Sequence, residues 1–88
     1  MKQKINQEVT VVMYYKAKQK RVVPHLLSWQ NKEYLLNKVS YYHSYMEGRE
    51  RQHMFELVDI DNTLWFRLRL DSSNLHWTLE AIHDGNPN

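Results

Sequence analysis

The chain is 88 residues long, with a formal net charge of +2, no cysteine, two glycines and two prolines. A chain of this length supports one domain around one modest core. Its composition excludes disulfides and thiol chemistry, and its small positive excess falls well short of the bias that marks a dedicated nucleic-acid binder.

The opening residues, "MKQKINQE", are polar, and the apolar run "VVMYY" that follows is too short for a signal sequence or for a span of about 20 apolar residues. With the lack of cysteine, this predicts a soluble protein of the reducing cytoplasm, with no membrane contact. Residues 1–8 and 85–88 are expected to be flexible termini of a single domain covering 1–88. From there on, turn-like clusters interrupt the chain at short intervals, and six tyrosines, three tryptophans and two phenylalanines favour strands between them.

The predicted strands run over 9–16, 21–29, 33–45, 52–60, 63–70 and 75–83. The first hairpin, "YKAKQKR", gathers Lys16, Lys18, Lys20 and Arg21. The third strand changes phase: Leu35, Val39 and Tyr41 share one parity, Leu36 and Tyr42 the other, so a bulge or sharp bend is expected. Gly48 supplies the next turn, and Asp61-Asn62 the one after, since both residues tolerate left-handed backbone angles.

Each turn fixes a register, and each register fixes which side chains meet. A turn at Asp61-Asn62 sets Leu57 opposite Phe66 and Phe55 opposite Leu68. A turn at Ser72-Ser73 sets Leu70 opposite Leu75, Leu68 opposite Trp77 and Phe66 opposite Leu79. The expected core face is then Phe55, Leu57, Leu64, Phe66, Leu68, Leu70, Leu75, Trp77, Leu79 and Ala81. On the other face Glu56 lies opposite Arg67, Trp65 beside Val58 and Glu80, and Arg69 beside Met54 and His76. The expected fold is all-β, a six-stranded antiparallel meander forming a small, partly or fully closed barrel.

The segments "SWQNKEYLLNKV" and "HWTLEAIHDG" carry Trp29, Tyr34, Trp77, Leu79 and Asp84. In these residues the sequence resembles a family of small bacterial all-β domains of unknown function, over about residues 22 to 85. Some members are similar to segments encoded near, or fused to, DNA-repair polymerases. The resemblance implies a DNA-associated setting and carries over no catalytic residue.

The five histidines do not assemble a metal site in these registers: His43 and His76 share a face about 14 Å apart, three strand spacings of ~4.8 Å. His53 faces away, and His25 belongs to another hairpin. No serine lies in a nucleophile elbow, and Glu47, Glu50, Asp59 and Asp61 flank turns as solvated charges. Neither a metal, a cofactor nor an enzymatic activity is expected.

Binding is the remaining class. Trp65, Arg67, Arg69, Tyr41 and His43 fall on one face, with Val39, Val58, Met54 and Ile82 nearby. Trp, Tyr and Arg are the side chains most enriched at interface hot spots, and they also suit base stacking. Lys16 and Lys18 could contact phosphates, or protect a sheet edge. Because Glu56 and Glu80 interrupt the basic face, the reading favours an accessory or adaptor module with a protein partner. Single-stranded nucleic acid on the same face is the alternative.

Overall fold

The computed structural model describes residues 2–84. Six antiparallel strands follow one another: β1 (Lys2–Lys16), β2 (Arg21–Trp29), β3 (Lys32–Glu47), β4 (Glu50–Asp59), β5 (Trp65–Asp71) and β6 (His76–His83). Each strand pairs with its neighbours in sequence, and β1 also pairs with β6, so the pairing returns to its start. Gln30 and Asn31, both at positive φ, make a two-residue turn between β2 and β3. Gly48, at φ 62°, opens the turn between β3 and β4, as the sequence predicts.

Alternation places the core. Phe55, Leu57, Phe66, Leu68, Leu70, Trp77, Leu79 and Ala81 are all buried, as expected. Leu27, Trp29 and Leu36 join them from β2 and β3. Each fully buried Leu or Phe contributes about 1.5–3 kcal/mol relative to exposure, so this single cluster dominates stability. Leu64 packs against its edge, whereas Leu75 is exposed, against expectation.

The fate of Leu75 follows from a register correction. The β5–β6 connection is a four-residue loop, Ser72 to Leu75, and Asp71 pairs with His76. The Leu75 N–H donates to the Asp71 carbonyl at 2.7 Å, and Leu75 itself sits at φ 63°. The Asp71 carboxylate accepts the Ser73 N–H at 2.9 Å, so the wide loop has its own polar scaffold. Near the loop the ladder is therefore displaced by two residues from the expected one, giving Leu70 opposite Trp77 and Leu68 opposite Leu79. A displacement of two preserves the side-chain faces, which is why the predicted core survives the wrong register. Beyond a bulge between Arg67 and Leu68, Phe66 pairs with Ile82 and Trp65 with His83. The β4–β5 register is as predicted, with Leu57 opposite Phe66, Phe55 opposite Leu68 and Glu56 opposite Arg67.

Two further expectations need correction. Residues 2–8, expected to be a flexible lead, belong to β1 and lie along β6; residues 85–88 lie outside the described residues. The expected meander forming a small, partly or fully closed barrel is corrected to a six-stranded antiparallel sheet that β1–β6 pairing closes, built as two ladders that share strands. In one, Lys2–Val9 of β1 pairs with β6, followed by β5, β4 and Leu36–Glu47 of β3; in the other, Thr10–Lys16 of β1 pairs with β2, followed by Lys32–Leu35 of β3. The β2–β3 ladder spans only Leu26–Trp29, and Arg21–His25 have no partner in β3.

Local chemistry explains the parting. Pro24 has no N–H to give a ladder, and its residue is confined to edges and bulges of sheets. Here Met13 pairs with Pro24 while Val12 pairs with Leu26, so His25 is the extra residue of a bulge. Strand β3 carries matching irregularities between Leu36 and Val39 and between Val39 and Tyr41. These bulges resolve the phase change seen in its sequence: Leu36, Val39 and Tyr42 pack inward, and Tyr41 is exposed.

Asp59, expected to be a solvated turn charge, is instead buried at the end of β4. Its carboxylate accepts the Thr63 N–H at 2.7 Å, the Thr63 hydroxyl at 2.5 Å and the Leu64 N–H at 3.2 Å, tying down the whole loop into β5. Burial pushes its pKa up, but these hydrogen bonds outweigh it and hold the carboxyl below its ordinary value. Asp59→Ala leaves these donors without their acceptor and should destabilise by about 1–3 kcal/mol in denaturant unfolding. This loss should shrink at low pH, because stability from a depressed carboxyl is present above its unfolded value and is lost as pH falls through the folded one.

Candidate functional site

The outer face of β3, β4 and β5 gathers five of the sequence-predicted residues. Cross-strand rows run Tyr41–Glu56–Arg67 and His43–Met54–Arg69, with Trp65 beside Val58 one row further on. Along β3, Tyr41, His43 and Tyr45 form a continuous stack, with ring centroids 6.3 and 5.7 Å apart and planes within 15° and 20°. Bulging between Val39 and Tyr41 sets this run outward while Tyr42 turns in. Tyr45 was not singled out from the sequence, although the alternation Tyr41-x-His43-x-Tyr45 displays it.

Both arginines are neutralised within their own sheet. Arg67 Nη2 donates to Glu56 Oε2 at 2.9 Å, and its guanidinium lies 5.7 Å from the Trp65 ring centroid. Arg69 lies 3.5 Å from Glu80 and 4.0 Å from Glu47. The corrected register puts Thr78, not His76, opposite Arg69, and His83, not Glu80, opposite Trp65. The Trp65 and His83 rings meet edge to face at 6.4 Å. Val39 and Ile82, expected on the exposed patch, pack against the core instead, so the apolar part of the face shrinks to Val58, Met54 and the aromatics.

Lys16 and Lys18 are not part of this face. Lys18 lies in the exposed turn between β1 and β2, which is closed by Gln19 N–H to Lys16 carbonyl at 3.2 Å. Lys16 ends β1 and lines a cleft of about 270 Å³ between the β1–β2 hairpin and β3, where the two ladders part.

On the inner side, the Tyr42 hydroxyl lies 2.6 Å from His53 Nδ1, and the two rings stack at 5.9 Å. Burial first, and the positive charge of Arg51 second, lower the His53 pKa from its ordinary value. An imidazole without a proton on Nδ1 accepts from the Tyr42 hydroxyl; one protonated there donates to its oxygen. Among the described residues no three His, Asp or Glu side chains converge on a metal position, and no helix is long and apolar enough to cross a membrane.

Comparison with family models, curated proteins and solved structures finds no match to this chain.

Two outcomes follow from this geometry. The Glu56→Gln and Arg67→Gln double-mutant cycle should return a coupling of about 0.2–1 kcal/mol in denaturant melts, as for a half-exposed cross-strand pair. For His53, the folded state resists a proton that the unfolded chain accepts, so its contribution is present above about pH 6.5 and is lost as pH falls. Thermal stability should therefore decline between about pH 7.5 and pH 5, and His53→Gln should flatten part of that decline.

Proposed function

We propose that the protein is a non-enzymatic adaptor module that docks a protein partner on the outer face of β3, β4 and β5. The observation that carries this reading is the pairing of Arg67 with Glu56 and of Arg69 with Glu80 and Glu47, beside the Tyr41–His43–Tyr45 stack, whose Tyr41 and His43 are exposed and whose Tyr45 is half-buried. A charge-compensated surface rich in aromatic and arginine side chains suits a protein interface, where ion pairs set register and rings supply the hot spots. The same compensation weighs against nucleic acid on this face, because a phosphate would have to compete with carboxylates already in place. The lack of cysteine supports a cytoplasmic setting.

The test is in-cell photo-crosslinking, with a crosslinking amino acid at position 43 and, as control, at position 18. Position 43 should give a discrete adduct with a second protein, and Tyr41→Ala should weaken it by about tenfold, the equivalent of ~1.4 kcal/mol at a hot spot. Adducts of equal yield from both positions, or an adduct indifferent to Tyr41→Ala, would contradict the proposal.

A further inference from the structure

We propose that the cleft between β2 and β3 binds the phosphate of a nucleotide, either free or within a single strand. The site is independent of the β3–β5 face. It exists because Pro24 and the His25 bulge take Arg21–His25 out of the β2–β3 ladder, leaving room for about 270 Å³.

Three elements each supply one cation to this space: Lys16 from β1, Arg21 from β2 and Lys38 from β3, with His25 beside them. None of the lining residues is acidic. Among the described residues, none of the three cations forms an ion pair, in contrast to Arg67 and Arg69. Like charges held together at a concave wall raise the local potential and attract a polyvalent anion. A phosphate relieves their mutual repulsion.

Arg21 is already positioned for this. Its guanidinium carbon lies 4.9 Å from the Tyr42 ring centroid, and its Nε is buried without a hydrogen-bond partner. A planar guanidinium fixed on a ring presents its fork to a phosphate with little further ordering. Lys16 Nζ stands 6.0 Å from the Tyr14 ring, whose edge-to-face neighbour is His25 at 6.0 Å.

These rings identify a nucleotide as the fitting phosphate carrier. Tyr14 is 45 % exposed and lines the cleft, and an exposed tyrosine ring offers a base a platform to stack on. The cavity is smaller than the roughly 300–1,000 Å³ that encloses a drug-sized ligand. It holds a phosphate and part of a sugar, with the base on Tyr14.

The test is fluorescence anisotropy of a labelled ten-residue oligothymidylate at about 50 and 200 mM salt, with thymidine 5′-monophosphate and thymidine as competitors. One phosphate held in the cleft predicts a loss of affinity of about threefold between the two salts. Lys16→Gln with Lys38→Gln should weaken binding about tenfold or more while the melting curve stays cooperative, and Lys38→Gln alone gives the same reading at smaller amplitude. Arg67→Gln with Arg69→Gln should leave affinity unchanged, and thymidine should not compete. Displacement by the monophosphate assigns the site to a free nucleotide; binding of the oligomer that the monophosphate cannot displace assigns it to a strand. No binding at the lower salt, binding indifferent to the lysine changes, or binding lost with Arg67 and Arg69 would overturn the proposal.

Discussion

Pro24 has no N–H, and much of the molecule is arranged around that missing donor. A proline cannot occupy the middle of a strand paired on both sides. Strand β2 meets this constraint by keeping β1 as its partner through the His25 bulge and by joining β3 only from Leu26 onward. From that choice come the two ladders, the long shared strands β1 and β3, and the cleft at the parting. The core tolerates it because Leu27, Trp29 and Leu36 still close over Phe55, Phe66 and Leu79.

The parting also separates two kinds of positive charge. On the continuous ladder, Arg67 and Arg69 stand among Glu56, Glu80 and Glu47 and are compensated across strands. In the cleft, Lys16, Arg21 and Lys38 stand without a lining carboxylate. The first arrangement favours a surface that recognises shape and aromatic contact; the second favours an anion. One small domain can thus carry two unlike binding surfaces, because the sheet that builds the first is not continuous with the short ladder that borders the second.

The sequence displayed more of the core than of the sites. Period-two alternation through β4, β5 and β6 named the buried residues, and the error at Ser72-Ser73 did no harm, since a loop longer by two residues keeps each side chain on its face. The same error misplaces the neighbour of Arg69 and, together with the bulge between Arg67 and Leu68, that of Trp65, because cross-strand contacts depend on the register itself. Leu75 departs from expectation for a related reason: its apolar character suggests strand, whereas Asp71 organises a wide loop that leaves it at positive φ. The role of Asp59 was hidden because a carboxylate at a strand end reads as solvated until its donors, Thr63 and Leu64, are seen folded onto it. Lys16 carried a hint of anion binding, but nothing in sequence spacing brings Lys38 to it. The one available signal was Pro24 inside a predicted strand, which argues for an edge and therefore for a gap beside it.

The parting of β2 from β3 is the claim on which the rest stands, and backbone NOEs measured by NMR test it most directly. Cross-strand contacts should run from Leu26–Leu35 to Trp29–Lys32 and stop there, with none linking Val22 or Val23 to Asn37 or Lys38. An unbroken series of contacts from Trp29 back to Arg21 along β3 would contradict the account, since it would close the cleft and leave no gap for Pro24 to explain.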